Sequence, residues 1–559
     1  MRFVLLFLLS VTAVEADDTL QATIDAAIAG KAEVLRLPAG EHRLSSTLRV
    51  RDAHDLTIEG HGATLVFTNW RDSGLHLLGC SRVTLRNLTI DFDPLPFTQG
   101  TILSISEDRS QWEFEVHAGY PSLSEEYLAT QAYVYDPETC RLRRGIPDIY
   151  PRGVEALSER RGRITINPAV PGTENARAGD LVVLNIRDGE GVYMNQCEDL
   201  TVENVTVLTC PGIAFIARYM FGDNVFRRLA VRPGPPPAGA TYPRLMSSCA
   251  DAFNFAYAAR GPVVERCRFR AMGDDSINLH GPTFAVCAVS EREVVLGRPY
   301  GGEPYERMVS PGDIVQGLRV NTFEPIGEAV VERFEREREV PDEWRTQVQS
   351  LWPRVQVNTG SFFRVQLAGA LAVDVGDWVA SPTTSAAGFA IRDCEFRDHR
   401  ARGMRIQSSN GIIERNRLSG LQGAGISVGP EFGFWREAGW VRDLTIRDNV
   451  IEDVGRGDVI QERWGFSLAG ITVFGRVERE ATCPMGNRDI VISGNSIDGC
   501  PTAGISVSCT RGVGITGNTI AHTNYLAGAD GDAGQPIEVE GAEDVVTEGN
   551  ELSGVGEPL

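Results

Sequence analysis

The sequence of 559 residues lacks three features that would each point to a class of protein. After residue 16 it has no run of about 18 apolar residues, the length that a membrane-spanning helix needs. Basic residues number 54 against 75 acidic ones, and a net charge of −21 disfavours nucleic acid and anionic membranes as partners. Cys-x-x-Cys and mixed Cys/His spacings typical of zinc sites are missing. We therefore expect no membrane span and no nucleic acid partner.

A short apolar segment stands at the N-terminus. Arg2 precedes the run FVLLFLLSVTAV, and the small residues Val14 and Ala16 occupy the −3 and −1 positions of a cleavage site. The run is too short to span a membrane. We expect residues 1–16 to be a signal peptide and the mature protein to be exported, either to the periplasm or by secretion.

Cysteine occurs eleven times, an odd number for a disulfide framework. Cys80, Cys197, Cys267 and Cys394 lie within apolar, strand-like patterns. Buried free thiols are therefore favoured, although an exported protein is able to form disulfides and their status stays open.

One repeated pattern decides the fold class. A strand, a polar turn and a second short strand recur, and a second unit such as SINLHG or GISVSC lies between the copies. The spacing is 22 residues from Cys394 to Asn416 and 23 from Asn495 to Asn518, which suits three short strands per coil of a parallel β-helix. Asn tolerates left-handed backbone, so we expect it to form the corners. The turn asparagines are Asn87, Asn204, Asn416, Asn449, Asn495, Asn518 and Asn550.

Two stretches interrupt the repeat with alternating patterns typical of antiparallel strands. The sequence thus predicts an all-β chain, a right-handed parallel β-helix solenoid with two inserted small β-barrel or sandwich domains. A helical pattern from Thr19 is expected to cap the first coil. The predicted divisions are the cap and first coils at 17–92, an inserted β-barrel at 93–187, central coils with the active site at 188–282, a second inserted β-barrel at 283–383, and C-terminal coils at 384–559.

The segment from Ser247 to Gly281 carries the candidate chemistry. Its motif ADAFNF at 250–255 returns as DDSINL at 274–279, a shift of 24 residues or about one coil. This shift predicts stacked carboxyl groups, at least one with a raised pKa, since like charges about 5 Å apart resist joint ionisation. A protonated carboxylic acid beside ionised ones is what glycoside hydrolysis requires. A purely structural Asp/Asn ladder is the alternative. The candidate catalytic residues are Asp251, Asp274 and Asp275.

Further residues are candidates for binding a sugar. Aromatic rings pack on the C–H faces of sugars, and charged or amide groups bind their hydroxyls. For His280 the alternative is a structural histidine at the end of a strand. For Arg405 and Gln407 the alternative is a solvated side chain. The candidate substrate-binding residues are Asn254, Asn278, His280, Arg405, Gln407, Glu431, Trp435, Arg436, Glu462 and Trp464.

These motifs resemble glycoside hydrolase family 110, the exported α-1,3-galactosidases. The likeness rests on GDDSINLHG with DAFNF 23 residues upstream, and extends through GMRIQSSNGIIERN (403–416) and GPEFGFWREAG (429–439). It implies a β-helix with inserted β-barrels, no metal or other cofactor, and inverting exo-hydrolysis of terminal α-1,3-linked galactose. The expected substrates are blood group B type glycans, linear α-1,3-galactosides or both. The resemblance places the catalytic carboxylates on the same three aspartates, and leaves the oligomeric state open, a homodimer included.

A more distant likeness is to polygalacturonases, whose logic suggests Asp274 as general acid and Asp251 and Asp275 as the residues that hold and deprotonate water. The sequence departs from that pattern, because His-Gly follows the Asp pair at once and no RIK motif follows. An uncharged galactoside therefore fits better than galacturonate. The alternative functions are those of a polygalacturonase-like hydrolase, a lyase or a non-catalytic carbohydrate-binding solenoid.

Overall fold

The computed structural model describes residues 16–71, 74–128, 131–146, 148–299, 308–352, 360–433, 435–457, 468–475, 484–526 and 534–558. The predicted signal peptide, apart from Ala16, lies outside the described residues, as do Glu462 and Trp464. Within the described part, no helix has the length and apolar character needed to cross a membrane.

Two long parallel sheets run the length of the molecule and confirm the predicted solenoid. The site sheet, as we name it, has eleven described strands: Leu48–Arg51, Leu75–Leu78, Glu190–Asn195, Ile213–Arg218, Phe253–Ala256, Ile277–His280, Met404–Ile406, Ile426–Val428, Ile471–Val473, Ile505–Val507 and Ile537–Val539.

The long sheet has 21 described strands and bends around a corner of each coil. Its strands are Val34–Arg36, Gly40–Leu44, Thr57–Phe67, Thr84–Phe92, Thr201–Val207, Val225–Arg227, Ala230–Val231, Val263–Glu265, Arg268–Arg270, Ala390–Arg392, Glu395–Arg397, Gly411–Glu414, Arg417–Ser419, Arg442–Arg447, Val450–Glu452, Asn487–Ser493, Ser496–Cys500, Thr510–Thr516, Thr519–Thr523, Ala542–Glu548 and Glu551–Ser553.

The core lies between the two sheets because alternate residues of each short strand are apolar. In the site sheet Phe253, Ile277 and Met404 stack in successive coils, and all three are buried. The residues between them point to the opposite face, which is where the polar side chains of the repeat are collected. At the N-terminal end, the helix Ala16–Ala29 covers the first coil with Leu20 and Ile24, as the helical pattern predicts.

The asparagines stack at the corners of the coils, but five of the seven do so for a reason other than the predicted one. Asn87 and Asn204 adopt the expected left-handed backbone. In the later coils the left-handed residue is the one before the asparagine, for example Asp448 before Asn449. The asparagine then points inward and hydrogen-bonds to its neighbours, because the turn leaves backbone groups unpaired inside the solenoid. The inward ladder consists of Asn416, Asn449, Asn495, Asn518 and Asn550.

The first insertion is a six-stranded antiparallel sheet. It includes two 3₁₀ turns, Glu125–Tyr127 and Thr173–Asn175. Its apolar face packs on the solenoid beside Cys249, and the Asn185 side chain donates to the carbonyl of that cysteine at 3.2 Å. The strands are Phe97–Ile105, Gln111–Val116, Gln131–Tyr135, Gly153–Ala156, Arg161–Thr165 and Leu181–Asn185.

The second insertion is a closed antiparallel barrel that carries the helix Asp342–Leu351 and is followed by the 3₁₀ turn Pro382–Thr384. Both insertions repeat one turn, in which an Asp after a left-handed Gly accepts a hydrogen bond from the backbone three residues earlier, as Asp180 and Asp377 do. The barrel strands are Thr283–Val289, Glu293–Arg298, Ile314–Leu318, Pro325–Arg336, Ser361–Leu367 and Trp378–Ala380.

Cysteine serves mainly as a small apolar residue. Nine cysteines of the described part are free thiols, and eight of these are buried, including Cys80 and Cys197 on neighbouring coils. Cys509, in contrast, is disulfide-bonded. The chain is thus held by its apolar core and its ladders, with little contribution from disulfides.

Candidate active site

The two copies of the 24-residue motif stack in the site sheet. Asn254 pairs with Asn278 in parallel register, and the amide of Ala252 donates to the carbonyl of Asp275 at 2.9 Å. Asp251 and Asp275 consequently occupy equivalent positions in successive coils, with Asp274 next to them. The three carboxyl groups each offer one oxygen within 4.8 Å of the others. They line a cavity of about 740 Å³, within the range of about 300–1,000 Å³ usual for small-molecule sites.

Asp274 lies between two guanidinium groups. Arg187, at the end of the first insertion, donates from Nη2 to Oδ2 at 2.7 Å, and Arg400 donates from Nη1 to Oδ1 at 2.8 Å. Arg400 also pairs with Asp148 of the first insertion. Burial raises the pKa of Asp274 although Arg187 opposes it. Both oxygens of this carboxylate are therefore held by cations supplied from the edges of the cavity.

Asp275 is the most buried of the three and has its own cation. The backbone amide and Nε of Arg402 both donate to Oδ1 at 2.9 Å, and Nη2 donates to Oδ2 at 2.7 Å. Such charge-assisted, bidentate contacts are shorter and stronger than hydrogen bonds between neutral groups. The pKa of Arg402 is raised in return, since Asp275 outweighs the effect of burial.

Asp251 has no guanidinium in direct contact among its described hydrogen bonds. Nδ2 of Asn254 donates to its Oδ2 at 2.7 Å. Burial, and then the charges of Asp274 and Asp275, raise the pKa of Asp251 well above its ordinary value, and Asn254 offsets this only in part. The trio therefore combines a carboxyl group that favours its proton with two that are stabilised by cations.

Two walls rise above the trio. One is formed by residues 131–146 and 148–150 of the first insertion, including Tyr133 and Tyr150. The other consists of residues 429–433 and 435–440, which we name the rim loop. In the rim loop the backbones of Glu431 and Glu437 exchange two hydrogen bonds, and both residues, with Trp435, line the cavity. The cavity is thus polar at its floor and partly aromatic at its sides.

The predicted substrate-binding residues fall into two groups. Asn254, Asn278, Arg405, Glu431 and Trp435 line the cavity. His280, Gln407 and Arg436 are not among the lining residues.

The residues of the second group, which do not line the cavity, contact other residues of the protein. Burial lowers the pKa of His280 to about 4, and the ring stands edge-on to Tyr257. Gln407 donates to Glu437 at 2.7 Å. Arg436 points away from the cavity, and its guanidinium lies 4.8 Å from the ring centre of Trp378 in the barrel.

Several polar atoms of the lining residues have no hydrogen-bond partner among the described residues. They are Oδ1 of Asn254, Oδ1 of Asn278, Oε1 of Gln422, and Nε and Nη2 of Arg405, all buried. Arg405 is only 1% exposed, and burial lowers its pKa to about 10. Unpaired buried donors and acceptors are costly in a folded protein, so their collection beside one cavity indicates a polar ligand rich in hydroxyl groups.

Several lining residues were not predicted from the sequence, among them Arg187, Arg400, Arg402 and Glu437. A signal for Arg402 exists, because the unit GMRIQS occupies the same place in its coil as SINLHG. Extending that match by one residue toward the N-terminus puts Arg402 next to Asp275, and the register of Ile277 with Met404 bears this out. Arg187 and Glu437 come from an insertion and a loop, whose position no repeat spacing encodes.

The three aspartates are also the one group in the described residues with enough carboxylate, thiol or imidazole ligands to hold a metal ion. Five of their six oxygens accept hydrogen bonds from described residues: one of Asp251, two of Asp274 and two of Asp275. Guanidinium groups supply four of the five. A donor set already neutralised by three arginines is a poor fit for a divalent cation.

Comparison with known proteins identifies relatives over most of the chain. The family described as right handed beta helix region matches residues 383–557. An alpha-1,3-galactosidase B of Bacteroides thetaiotaomicron is 22% identical over 425 residues, 71% of this chain and 63% of the relative. Another of that name, from Phocaeicola vulgatus, is 25% identical over 433 residues, 72% of this chain and 67% of the relative. The chain thus spans about two thirds of these relatives' length.

Among solved structures, the Agl-KA catalytic domain aligns with a TM-score of 0.45 at 9% identity, covering 98% of this chain and 64% of that one. The names of the sequence relatives agree with the resemblance to glycoside hydrolase family 110 that the motifs gave, and confirm it.

Proposed function

We propose that this chain is an exo-acting glycoside hydrolase that removes terminal α-1,3-linked galactose, from linear or from blood group B type glycans. The observation that carries the proposal is the stacked trio of Asp251, Asp274 and Asp275 at the floor of one cavity, with a raised pKa on the carboxyl that lacks a cation. The substrate class rests on the relatives, which are named alpha-1,3-galactosidase.

Asp251 is the proton donor in this proposal. It is the carboxyl whose pKa is raised furthest by burial and by its two neighbours, so it keeps a proton to give to the leaving oxygen. Asp274 and Asp275, whose oxygens are held by arginines, orient or deprotonate the attacking water. The polygalacturonase analogy assigns the acid to Asp274 instead, but two guanidinium contacts favour the charged form there.

The proposed displacement uses water and inverts the anomeric carbon. A carboxylate that attacks the sugar directly has to move onto the anomeric carbon, and guanidinium groups hold both oxygens of Asp274 and of Asp275 in place. A second lone pair on each oxygen still accepts a proton from water. The opposing observation is the spacing within 4.8 Å, below the 6.5–9.5 Å of most inverting enzymes. Water therefore has to approach beside the trio, not between two of its members.

An uncharged sugar suits the rest of the floor. Arg405 offers two unpaired donors, and Asn254 and Asn278 offer one unpaired acceptor each. Hydroxyl groups are donors and acceptors at once, so one galactose is able to satisfy both kinds. The floor lies between two walls and suits the end of a glycan, which supports the proposed exo action.

A panel of α-linked galactosides tests the proposal. The enzyme is expected to release galactose from α-1,3-linked substrates, branched or linear, and to leave α-1,4- and α-1,6-linked ones at least ~100-fold slower. Proton NMR of the first product is expected to show β-galactose; α-galactose appearing first contradicts inversion. Asp251→Asn and Asp274→Asn are expected to abolish release, and full activity of either variant contradicts the assignment of this site.

A further inference from the structure

We propose that Tyr150 and Trp435 form a binding subsite for the second sugar, the ring on the reducing side of the cleaved bond. The inference rests on the proposed function and adds a subsite to it. Both residues line the cavity, one on each wall. They are also the two large aromatic side chains of the lining that remain exposed, at 59% for Tyr150 and 55% for Trp435.

The backbone beside each ring is fixed. Next to Tyr150, the amide of Ala132 donates to the carbonyl of Ile149 at 3.0 Å, and Asp148 pairs with Arg400. An exposed ring whose neighbouring backbone is already held by contacts loses less conformational freedom on binding a ligand than a ring on an unsupported loop.

Trp435 has an equally firm support. Its neighbour Arg436 donates to the carbonyl of Leu351 at 3.2 Å and lies over the rings of Trp378 and Phe323, at 4.8 and 5.5 Å from their centres. These contacts tie the rim loop to the barrel. The second insertion therefore has a role in the site, since it holds the rim loop against the mouth of the cavity.

The position of the two rings decides which sugar they contact. The anomeric carbon of the terminal galactose has to reach the trio at the floor, where the unpaired polar atoms of Arg405 and Asn278 lie. The next ring of the glycan then lies nearer the mouth, between the two walls. Its C–H faces pack on aromatic rings, while its hydroxyl groups stay in water.

Two substrates separate this subsite from the catalytic floor. An α-1,3-linked galactobiose presents a second ring, whereas α-galactosyl fluoride presents the same galactose with a leaving group that cannot reach the mouth. We expect Tyr150→Ala and Trp435→Ala each to lower kcat/KM for the disaccharide by ~10-fold and to leave the fluoride within about twofold. Tyr150→Phe and Trp435→Phe keep a ring, and we expect them to retain most of the activity.

The outcomes are distinct. An equal loss on both substrates, or no loss on the disaccharide, overturns the subsite while the hydrolase assignment stands. If the unmodified enzyme turns over neither substrate, the proposed function fails and the subsite fails with it. Thermal unfolding of each variant, expected within about 2 °C of the parent because both rings are exposed, excludes a folding defect as the cause.

Discussion

Arg402 stands one coil beyond Asp275 and donates three hydrogen bonds to its carboxylate, from the backbone amide, Nε and Nη2. Both side chains are largely buried, with 16% and 2% of their surface exposed. The pair shows how a β-helix builds a site, because side chains far apart in sequence become neighbours by occupying the same place in successive coils.

Breaking this pair is expected to harm stability and activity together. Arg402→Gln leaves a buried carboxylate without its cation, which costs about 3–5 kcal/mol of unfolding free energy. The double variant Asp275→Asn with Arg402→Gln removes both charges and is expected to recover about 1–3 kcal/mol of that loss. Activity on an α-1,3-galactoside is expected to fall ~100-fold or more in both variants and in the single variant Asp275→Asn that completes the cycle. Additive losses of stability in denaturant titrations contradict a coupled pair.

Because the pKa of Asp251 is raised, the stability of the folded protein is expected to depend on pH. The pKa of this carboxyl group is raised in the folded state by burial and by its two neighbours. The folded state therefore binds the proton more tightly than the unfolded chain, and stability is lost as pH rises from about 4, the ordinary pKa of Asp, through the folded value. Asp251→Asn has no titrating carboxyl group at this position, so its stability does not fall in this way. The variant is expected to melt at the same temperature as the parent below pH 4 and at a higher temperature at pH 7.

Activity is expected to move in the opposite direction. Asp251→Asn removes the proton donor, so turnover of an α-1,3-galactoside falls by ~10²–10⁴-fold. In the parent enzyme the rate falls at high pH as Asp251 loses its proton, and at low pH as the carboxylates gain one. The exposed Asp544→Asn is the matched control and changes neither property. A lower melting temperature for Asp251→Asn at pH 7 contradicts the raised pKa.

Coil spacing explains how much of the site the sequence predicts. A shift of 24 residues brings Asn254 to Asn278, and no loop intervenes. The same logic reaches Arg402 only if residues 283–383 are counted as an insertion. Arg187 and Tyr150 are beyond this logic, because the first insertion folds as a separate antiparallel sheet and its docking depends on side-chain packing.

The fold class is predictable because the coil spacing is regular, whereas the role of the asparagines is not predictable from that spacing. A conformational preference of Asn suggests a left-handed corner, and Asn87 fulfils it. Asn449 is instead buried beside a left-handed Asp448, since an inward amide satisfies the backbone that the corner leaves unpaired. Sequence alone does not distinguish these two uses, because both place Asn at a corner.

The asparagine ladder yields a test of stability away from the site. Asn449 accepts two hydrogen bonds from Asn416 and donates to Asn495, all at 3.0 Å. Asn449→Ala leaves these buried groups without a partner and is expected to lower the unfolding free energy by about 2–4 kcal/mol. Asn550→Ala, at the partly exposed end of the ladder, is the control with a smaller effect. Activity per folded molecule stays unchanged, and an equal effect of both variants contradicts the ladder.

Arg405 is expected to bind the substrate and not to stabilise the fold. Its guanidinium is buried, its Nε and Nη2 lack partners in the described residues, and burial lowers its pKa to about 10. Arg405→Met fills the same space without a charge, so the unfolding free energy is expected to stay equal or rise by about 1–4 kcal/mol. If the unpaired donors bind the terminal sugar, KM rises ~10-fold or more. Arg364→Met, which removes two ion pairs on the barrel surface, is the control and leaves KM unchanged. A lower melting temperature with an unchanged KM means that Arg405 supports the fold and does not bind the substrate.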